Sequence, residues 1–212
     1  MKHYIAVPLC AAILVVMSPF AARPQESQES SVNANQAQQD AAMMVPAHAS
    51  LRTKLNAKQS HAGEEIRAEL ERTIQLKNGP ELPHGTQLLG EVTAVEAKPD
   101  KVRLALRFDE AQLRDGSKIP IKAMILFIQS ASSVGTDSDL ARVSARDVWT
   151  PNIYKVDQLG TISGADLHSS ITSDDSGVIT SNKKDDLTIG KGSEIDLVIE
   201  DQSAPKAIAS TQ

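Results

Sequence analysis

The chain has 212 residues, a formal net charge of -5 and 23% charged residues. This length fits one ordinary domain with terminal tails, and the mildly acidic balance argues against a strongly basic nucleic-acid-binding protein. Aromatic residues make up only 3% of the chain, so stacking platforms for bases or sugars are scarce.

The N-terminal residues have the pattern of a secretory signal peptide. A basic start, Lys2-His3, precedes the apolar run Ile5–Met17, and small residues follow up to Ala22. The run is shorter than the roughly 20 apolar residues of a stable membrane span. Residues 1–22 are therefore predicted to be a cleaved signal peptide, with an uncleaved anchor as the alternative. We expect an exported protein, periplasmic or extracellular, with no stable membrane span after processing and without Cys10, the single cysteine.

Two polar segments flank the remaining sequence. Residues 23–48 are rich in Gln, Ser, Asn and Ala, and they hold too little apolar surface to offset the entropy of ordering. We interpret them as a disordered spacer, and residues 202–212 as a second, shorter disordered tail. The folded domain is thus predicted to span residues 49–201.

Within this domain the dominant hydrophobic period is two. Val102, Leu104, Leu106 and Phe108 alternate with mostly cationic residues, which predicts a half-buried strand. A second apolar stretch, Leu88–Val95, precedes it across a Lys-Pro-Asp turn, so the two form a hairpin.

A short sequence motif recurs four times. It consists of a glycine, two polar residues and then alternating aliphatic or small residues. Glycine tolerates positive φ at a turn, and the alternation starts a half-buried strand. The four glycines are Gly63, Gly85, Gly116 and Gly192. These strands and the hairpin predict an all-β chain, a small single-domain β-barrel with one long loop excursion over residues 130–173.

Two local assignments follow from periodicity. The spacing of the apolar residues in 65–76 is compatible with a helix as well as with a strand. The preceding glycine, Gly63, favours a strand. In the last predicted strand, Ile195, Leu197 and Ile199 should face inward and Asp196 outward, so that Asp196→Ala should barely change the melting temperature.

Three sequence blocks resemble one known family. Leu82–Val92 resembles the "proline, small turn, Gly-Ser/Thr, Leu-x-Gly" segment of the periplasmic scaffold subunit of conjugation and type IV secretion channels. Leu104–Phe108 and Leu113–Ile119 are similar to that family's next strand and its Asp-Gly-Ser turn, and Leu187–Asp201 is similar to its closing strand. The same layout looks like secreted bacterial proteins that carry only this barrel. The resemblance implies the C-terminal β-barrel domain of that scaffold.

The sequence also departs from that family. The family's helical insertion supplies membrane-crossing helices, whereas residues 130–173 here are polar and have no apolar run of spanning length. We also expect no counterpart of the family's N-terminal inner-membrane anchor with its Pro-rich arm. The resemblance therefore implies the fold and does not imply a secretion channel.

The candidate catalytic and metal-binding residues form no complete motif. His61 with Glu64 and Glu65 is half a metal site, and His84 occupies a polar turn position. Ser163 and His168 lack a nucleophile elbow, and the Asp137 and Asp174 clusters lack the spacing of a calcium loop. We therefore expect no enzyme, no catalytic or metal site and no cofactor.

One predicted strand lacks the alternation of apolar and polar residues. Ala123–Ile128 is apolar on both faces, which indicates either a cover from the excursion or a contact surface, including self-association into a homo-oligomer. Val148, Trp149, Ile153 and Tyr154 are candidate lids. Trp149 and Tyr154 are also candidate partner contacts, because aromatic residues on a supported loop are typical anchors.

The function predicted from these patterns is an exported, non-catalytic envelope or extracellular binding or structural module. Its partner would be a protein or an envelope component, not a nucleic acid. A component of an envelope-spanning assembly related to type IV secretion scaffolds is the first alternative, and a cell-wall hydrolase is the second.

Overall fold

The computed structural model describes residues 26–98, 101–130, 149–159, 164–182 and 187–203. The predicted signal peptide, part of the excursion and most of the C-terminal tail lie outside these ranges. The described elements are α1 (Glu26–Met43), β1 (Val45–Leu51), β2 (Leu55–Asn56), β3 (Glu65–Leu70), β4 (Ile74–Gln75), β5 (Glu81–Leu82), β6 (Gln87–Ala97), β7 (Val102–Gln112), β8 (Lys118–Gln129), β9 (Lys155–Leu159), β10 (Ala165–Ser170), β11 (Gly177–Ser181), β12 (Thr188–Ile189) and β13 (Glu194–Asp201). Across the described ranges, no helix combines the length and the apolar character that crossing a membrane requires.

Six antiparallel strands close into a barrel. Their order is β6, β3, β1, β13, β8 and β7, and β7 pairs with β6 to complete the ring. The first strand therefore pairs with the last, with Val45 opposite Ile199 and Ala49 opposite Ile195. This topology confirms the predicted all-β barrel.

The barrel interior is filled with aliphatic side chains. Strand alternation sends Leu104, Leu106 and Phe108 inward, and Phe108 is the largest fully buried side chain. Ile195, Leu197 and Ile199 are fully buried in the same cluster, as their period predicts.

The glycine-led turns form as predicted. Gly63, Gly85, Gly116 and Gly192 have φ between +82° and +86°, a region that L-residues with a Cβ rarely adopt. Strands β3, β6, β8 and β13 begin within three residues of these turns. Residues 65–70 form β3, so the strand assignment is confirmed there.

The barrel has a seam between β7 and β8. These strands pair directly only near their hairpin, at Glu110–Gln112 with Lys118–Pro120, and β11 then takes the place of β8 beside β7. Ser176 bridges the gap. Its N–H donates to the Leu106 carbonyl at 2.8 Å, and its own carbonyl accepts the Ile125 N–H at 2.8 Å.

Three strands extend the sheet outward from this seam, in the order β11, β10 and β9. The predicted loop excursion 130–173 therefore contains strands β9 and β10. Sequence patterning missed them because β10 reads Ala-Asp-Leu-His-Ser-Ser, with two large polar residues and only one large aliphatic.

The N-terminal boundary also differs from the prediction. The range 23–48, interpreted as a disordered spacer, holds α1 and the first four residues of β1. The barrel begins at Val45 instead of residue 49, because Val45–His48 pair with β13. The segment VPAH carries only one large aliphatic residue, so its strand pattern is weak when the partner strand is unknown.

Candidate functional site

A second apolar cluster lies on the outside of the barrel. We call it the outer cluster; its buried members are Ala41, Met44, Met124, Leu126, Val156, Ile171 and Val198. Met124 and Leu126 come from β8, whose inward-facing neighbours Ala123 and Ile125 belong to the main core. A β-bulge between Asp196 and Leu197 shifts the pairing of β13 with this part of β8.

The chain itself covers the apolar outer face of Ala123–Ile128. Trp149 and Ile153 are partly buried and pack against the outer cluster, as expected for lids. Met44 and the end of α1 contribute to the cover from the N-terminal side, and Val156 and Ile171 complete it. Sequence analysis missed this part because it placed Met44 in a disordered spacer. Val148, the fourth candidate lid, lies outside the described residues.

Trp149 and Tyr154 occupy different environments. The Trp149 side chain packs against the outer cluster, whereas Tyr154 is 40% exposed and is the exposed large hydrophobic side chain among the described residues. The Tyr154 carbonyl accepts the Ile171 N–H at 3.0 Å, which fixes its backbone beside the cluster. Tyr154 is thus an exposed aromatic on a supported segment. Its role as a partner contact remains a prediction.

Three of the histidines lie at the surface. His61 is exposed, with Nδ1 4.0 Å from Glu64, and His84 is exposed in the turn before Gly85. His168 Nδ1 lies 2.9 Å from Asp157 Oδ1. A hydrogen bond from Lys155 and the contact with His168 lower the pKa of Asp157.

Among the described residues no group of three or more His, Cys, Asp and Glu side chains is placed to hold a metal ion. Ser163 and Asp137 lie outside the described residues. Asp175 accepts a hydrogen bond from Thr93 Oγ1 at 2.6 Å, which ties its loop to β6.

The fourth histidine has surroundings that the sequence did not predict. His48 lies on β1, and its side chain is 30% exposed. Its Nδ1 is 2.6 Å from Asp196 Oδ1, and its Nε2 is 3.3 Å from Glu71 Oε2 and 3.9 Å from Glu194 Oε2. We call these four side chains the His48 cluster.

The His48 cluster favours a charged imidazole. The hydrogen bond to Asp196 raises the pKa of His48, partly opposed by desolvation, and the charges of Asp196, Glu71 and Glu194 raise it further. Asp196 is only 10% exposed and bonds to His48, so this structure leads us to expect that Asp196→Ala lowers stability, in contrast to the expectation from the sequence. The physical reason is that an outward position on a barrel strand is still covered when a neighbouring strand carries a long side chain.

The cluster could not be found in the sequence because its members are far apart. His48 and Asp196 are separated by 148 positions, and only the pairing of β1 with β13 brings them opposite each other. Alternation places both side chains on the outer face of the barrel, and the observed register sets His48 opposite Asp196.

A further polar depression lies on the outside of β6 and β7, around Gly90. Arg107 pairs there with Glu91, and its Nε is 3.3 Å from Asp109. A Cβ at Gly90 would lie 1.9 Å from the Arg107 carbonyl oxygen, so this close approach of strands requires glycine. The cation is already neutralised by two carboxylates, so the depression does not attract an anion.

Together these features define a closed six-stranded β-barrel with an outer apolar cluster and a histidine–carboxylate cluster at its first and last strands. No protein-family model matches the chain, and the comparison with curated proteins finds no match. Among solved structures it is similar to ComB10 of the Com type IV secretion system of Helicobacter pylori. The TM-score is 0.37 and the identity 11%, over 73% of this chain and 84% of that chain. A similarity at this level does not establish a relationship, and the barrel fold is established by the strand pairing alone.

Proposed function

We propose that the protein is an exported, non-catalytic binding or structural module of the cell envelope or the extracellular space. Its partner would be a protein or another envelope component. The observation that carries this proposal is Tyr154, an exposed aromatic side chain whose backbone is fixed beside the outer cluster. Large aromatic residues on rigid supports are typical energetic centres of interfaces.

The construction of the barrel supports binding through the outer surface. Its interior is packed with apolar side chains such as Leu104, Phe108 and Leu197. A ligand would have to displace this core, at a cost of several kcal/mol. Partners would therefore meet the outer face and the extended sheet β9–β11.

The arrangement of titratable side chains supports a role without catalysis. A general base or nucleophile needs a partner in hydrogen-bond reach and a recessed position that protects the reaction from water. His61, His84 and the His168–Asp157 pair are exposed, and the ring nitrogens of His48 already face carboxylates. A cell-wall hydrolase is the alternative that these positions favour least.

A component of an envelope-spanning assembly is the stronger alternative. What supports it is the sequence resemblance of Leu82–Val92, Leu113–Ile119 and Leu187–Asp201 to the type IV secretion scaffold subunit. In this alternative the outer face would contact other subunits of the assembly, including copies of the same chain.

Site-specific photocrosslinking in the native host tests the proposal. A photoreactive amino acid replaces Tyr154 in one strain and the neighbouring, exposed Asn152 in a control strain. We expect a discrete crosslinked species from position 154, which is competed away when unmodified protein is overexpressed, and none from position 152. Equal labelling from both positions, or none from either, would contradict a partner at Tyr154.

Loss-of-function variants complete the test. In a strain that lacks the gene, Tyr154→Ala should restore function less well than the wild type does. A triple variant with His61, His84 and His168 changed to Gln should restore it fully. His48 is left in place because it bonds to Asp196. Loss of function in the folded triple variant would overturn the non-catalytic proposal. Identification of the crosslinked partner as a secretion-channel subunit would favour the assembly alternative.

A further inference from the structure

Both ring nitrogens of His48 face carboxylates. Nδ1 meets Asp196 at 2.6 Å on β13, and Nε2 meets Glu71 at 3.3 Å on the turn after β3. A neutral imidazole carries a proton on one nitrogen only, so one of these contacts would then place two lone pairs against each other. The imidazolium ion donates its Nδ1–H to Asp196 and carries the positive charge that pairs with Glu71 at 3.3 Å. The geometry is therefore complete only when His48 is protonated.

The charges that face His48 come from β13 and from the turn after β3. From β13 they are Asp196 and Glu194, which lies 3.9 Å from Nε2, and from the turn after β3 the charge is Glu71. On β3 the carboxylate of Glu69 is engaged with Arg52 at 3.1 Å. Strand β4 is the pair Ile74–Gln75 and brings no charge. The net field at the ring is negative.

The position of His48 in the fold gives these contacts a structural consequence. Strand β1 closes the barrel against β13, and Met44, four residues before His48, is buried in the outer cluster. Helix α1 precedes Met44 directly and contributes Ala41 to the same cluster. The contact between His48 and Asp196 joins β1 to β13, and it therefore also helps to hold the end of α1 on the outer face of the barrel.

We propose that His48, with Asp196, Glu194 and Glu71, is a proton-operated clasp that fastens the first strand and the end of α1 to the closing strand. With the proton bound, the clasp is closed. When the proton leaves, the ion pairing with Glu71 and Glu194 is lost, β1 loosens locally, and the cover over Met124 and Leu126 opens more often.

The direction of the pH dependence follows from the surroundings of the ring. Hydrogen bonding to Asp196 raises the pKa of His48 above its ordinary value of 6.5. A raised pKa means that the native state holds its proton more tightly than the unfolded state. The stabilisation is then fully present below pH 6.5 and is lost as the pH rises through the raised value. The clasp closes on the acidic side and opens on the alkaline side.

Hydrogen exchange of the full chain at pH 6.0, 7.0 and 8.5 tests the clasp. After correction for the intrinsic pH dependence of exchange, we expect the protection factors of the β1 amides to be roughly fivefold lower at pH 8.5 than at pH 6.0. A change of this size corresponds to the free energy of one partly exposed ion pair. The amides of β6 and β7, remote from the clasp, serve as the internal reference. Methyl signals of methionine should show Met44 and Met124 changing over the same pH range.

Two variants give matched controls. In His48→Gln the pH dependence of β1 protection should vanish, and protection at pH 6.0 should fall to the value that the wild type has at pH 8.5. In His84→Gln, at an exposed turn, the wild-type pattern should remain. Unchanged β1 protection in the wild type, or the same pH dependence in His48→Gln, would overturn the clasp.

A direct titration covers the case in which the variant does not fold. The imidazole resonances of His48 in the wild-type protein give its pKa by nuclear magnetic resonance. A pKa of His48 above the ordinary value of 6.5 supports the clasp, and one equal to or below it overturns the proposal.

Discussion

Replacing Leu197 with alanine tests the closure of the barrel most directly. Leu197 has no exposed surface and lies on β13 between Ala47 of β1 and Ile125 of β8. It therefore belongs to the strand that joins the two ends of the chain. The substitution removes three buried carbon atoms and leaves a cavity in a packed interior, which costs about 2–5 kcal/mol.

The magnitude can be expressed as a melting temperature. For a domain of this size, 1 kcal/mol corresponds to about 2–4 °C, so Leu197→Ala should lower the melting temperature by roughly 4–20 °C. Far-ultraviolet circular dichroism follows the barrel, and the fluorescence of Trp149, the single tryptophan, follows the outer cluster. Both probes should report the same transition if the cluster and the barrel unfold together.

The control must lie on a barrel strand and point outward. Strand β13 offers none, since Asp196 and Glu200 are buried and Glu194 is partly covered. Gln87 on β6 is exposed, so Gln87→Ala should change the melting temperature by less than about 2 °C, because surface substitutions usually stay within about 0.5 kcal/mol. Equal losses from Leu197→Ala and Gln87→Ala would refute the inward orientation of Leu197.

Three further predictions concern close packing, the seam and processing. Gly90→Ala should destabilise the fold by about 1–3 kcal/mol in urea titration, because the new Cβ overlaps the facing strand, whereas Gly190→Ala, with open space around it, should be close to neutral. Ser176→Ala should cost about 1–3 kcal/mol in the same assay, because the buried Phe108 N–H loses its acceptor at 2.9 Å; a neutral result would contradict a bridging role of the hydroxyl group. Intact-mass measurement of exported protein should find a chain that begins near Arg23 and has no cysteine; a mass that includes the N-terminal apolar run would contradict cleavage.

The sequence was most informative where local chemistry decides local structure. Positive φ at Gly85 and Gly192 and the alternation around Leu104 depend on the residues themselves, so turns, strands and the closed barrel could be predicted. The lid role of Trp149 could be predicted as well, because an apolar strand face needs a cover. Each of these inferences rests on a short window of sequence.

The features that were missed depend on pairing between distant segments. Strand β10 carries little apolar signal, and it forms because it lies between β9 and β11. His48 and Asp196 become partners only through the register of β1 and β13. The polar composition around Met44 concealed that this one side chain is buried in the outer cluster. Tertiary contacts decided these positions, and propensity was too weak to indicate them.

The pairing of β1 with β13 has a consequence for when this protein can fold. The ring cannot close until the C-terminal strand has been synthesised, because that strand supplies both neighbours, β1 and β8, with a partner. Contacts of such long sequence separation form slowly, since the chain loses much loop entropy before they stabilise it. The hairpin of β6 and β7 can form earlier, but the ring stays open until the last strand is available. Under the export proposed above, this topology would delay closure of the barrel until the domain is complete, and an unclosed chain is the form that a translocation channel threads.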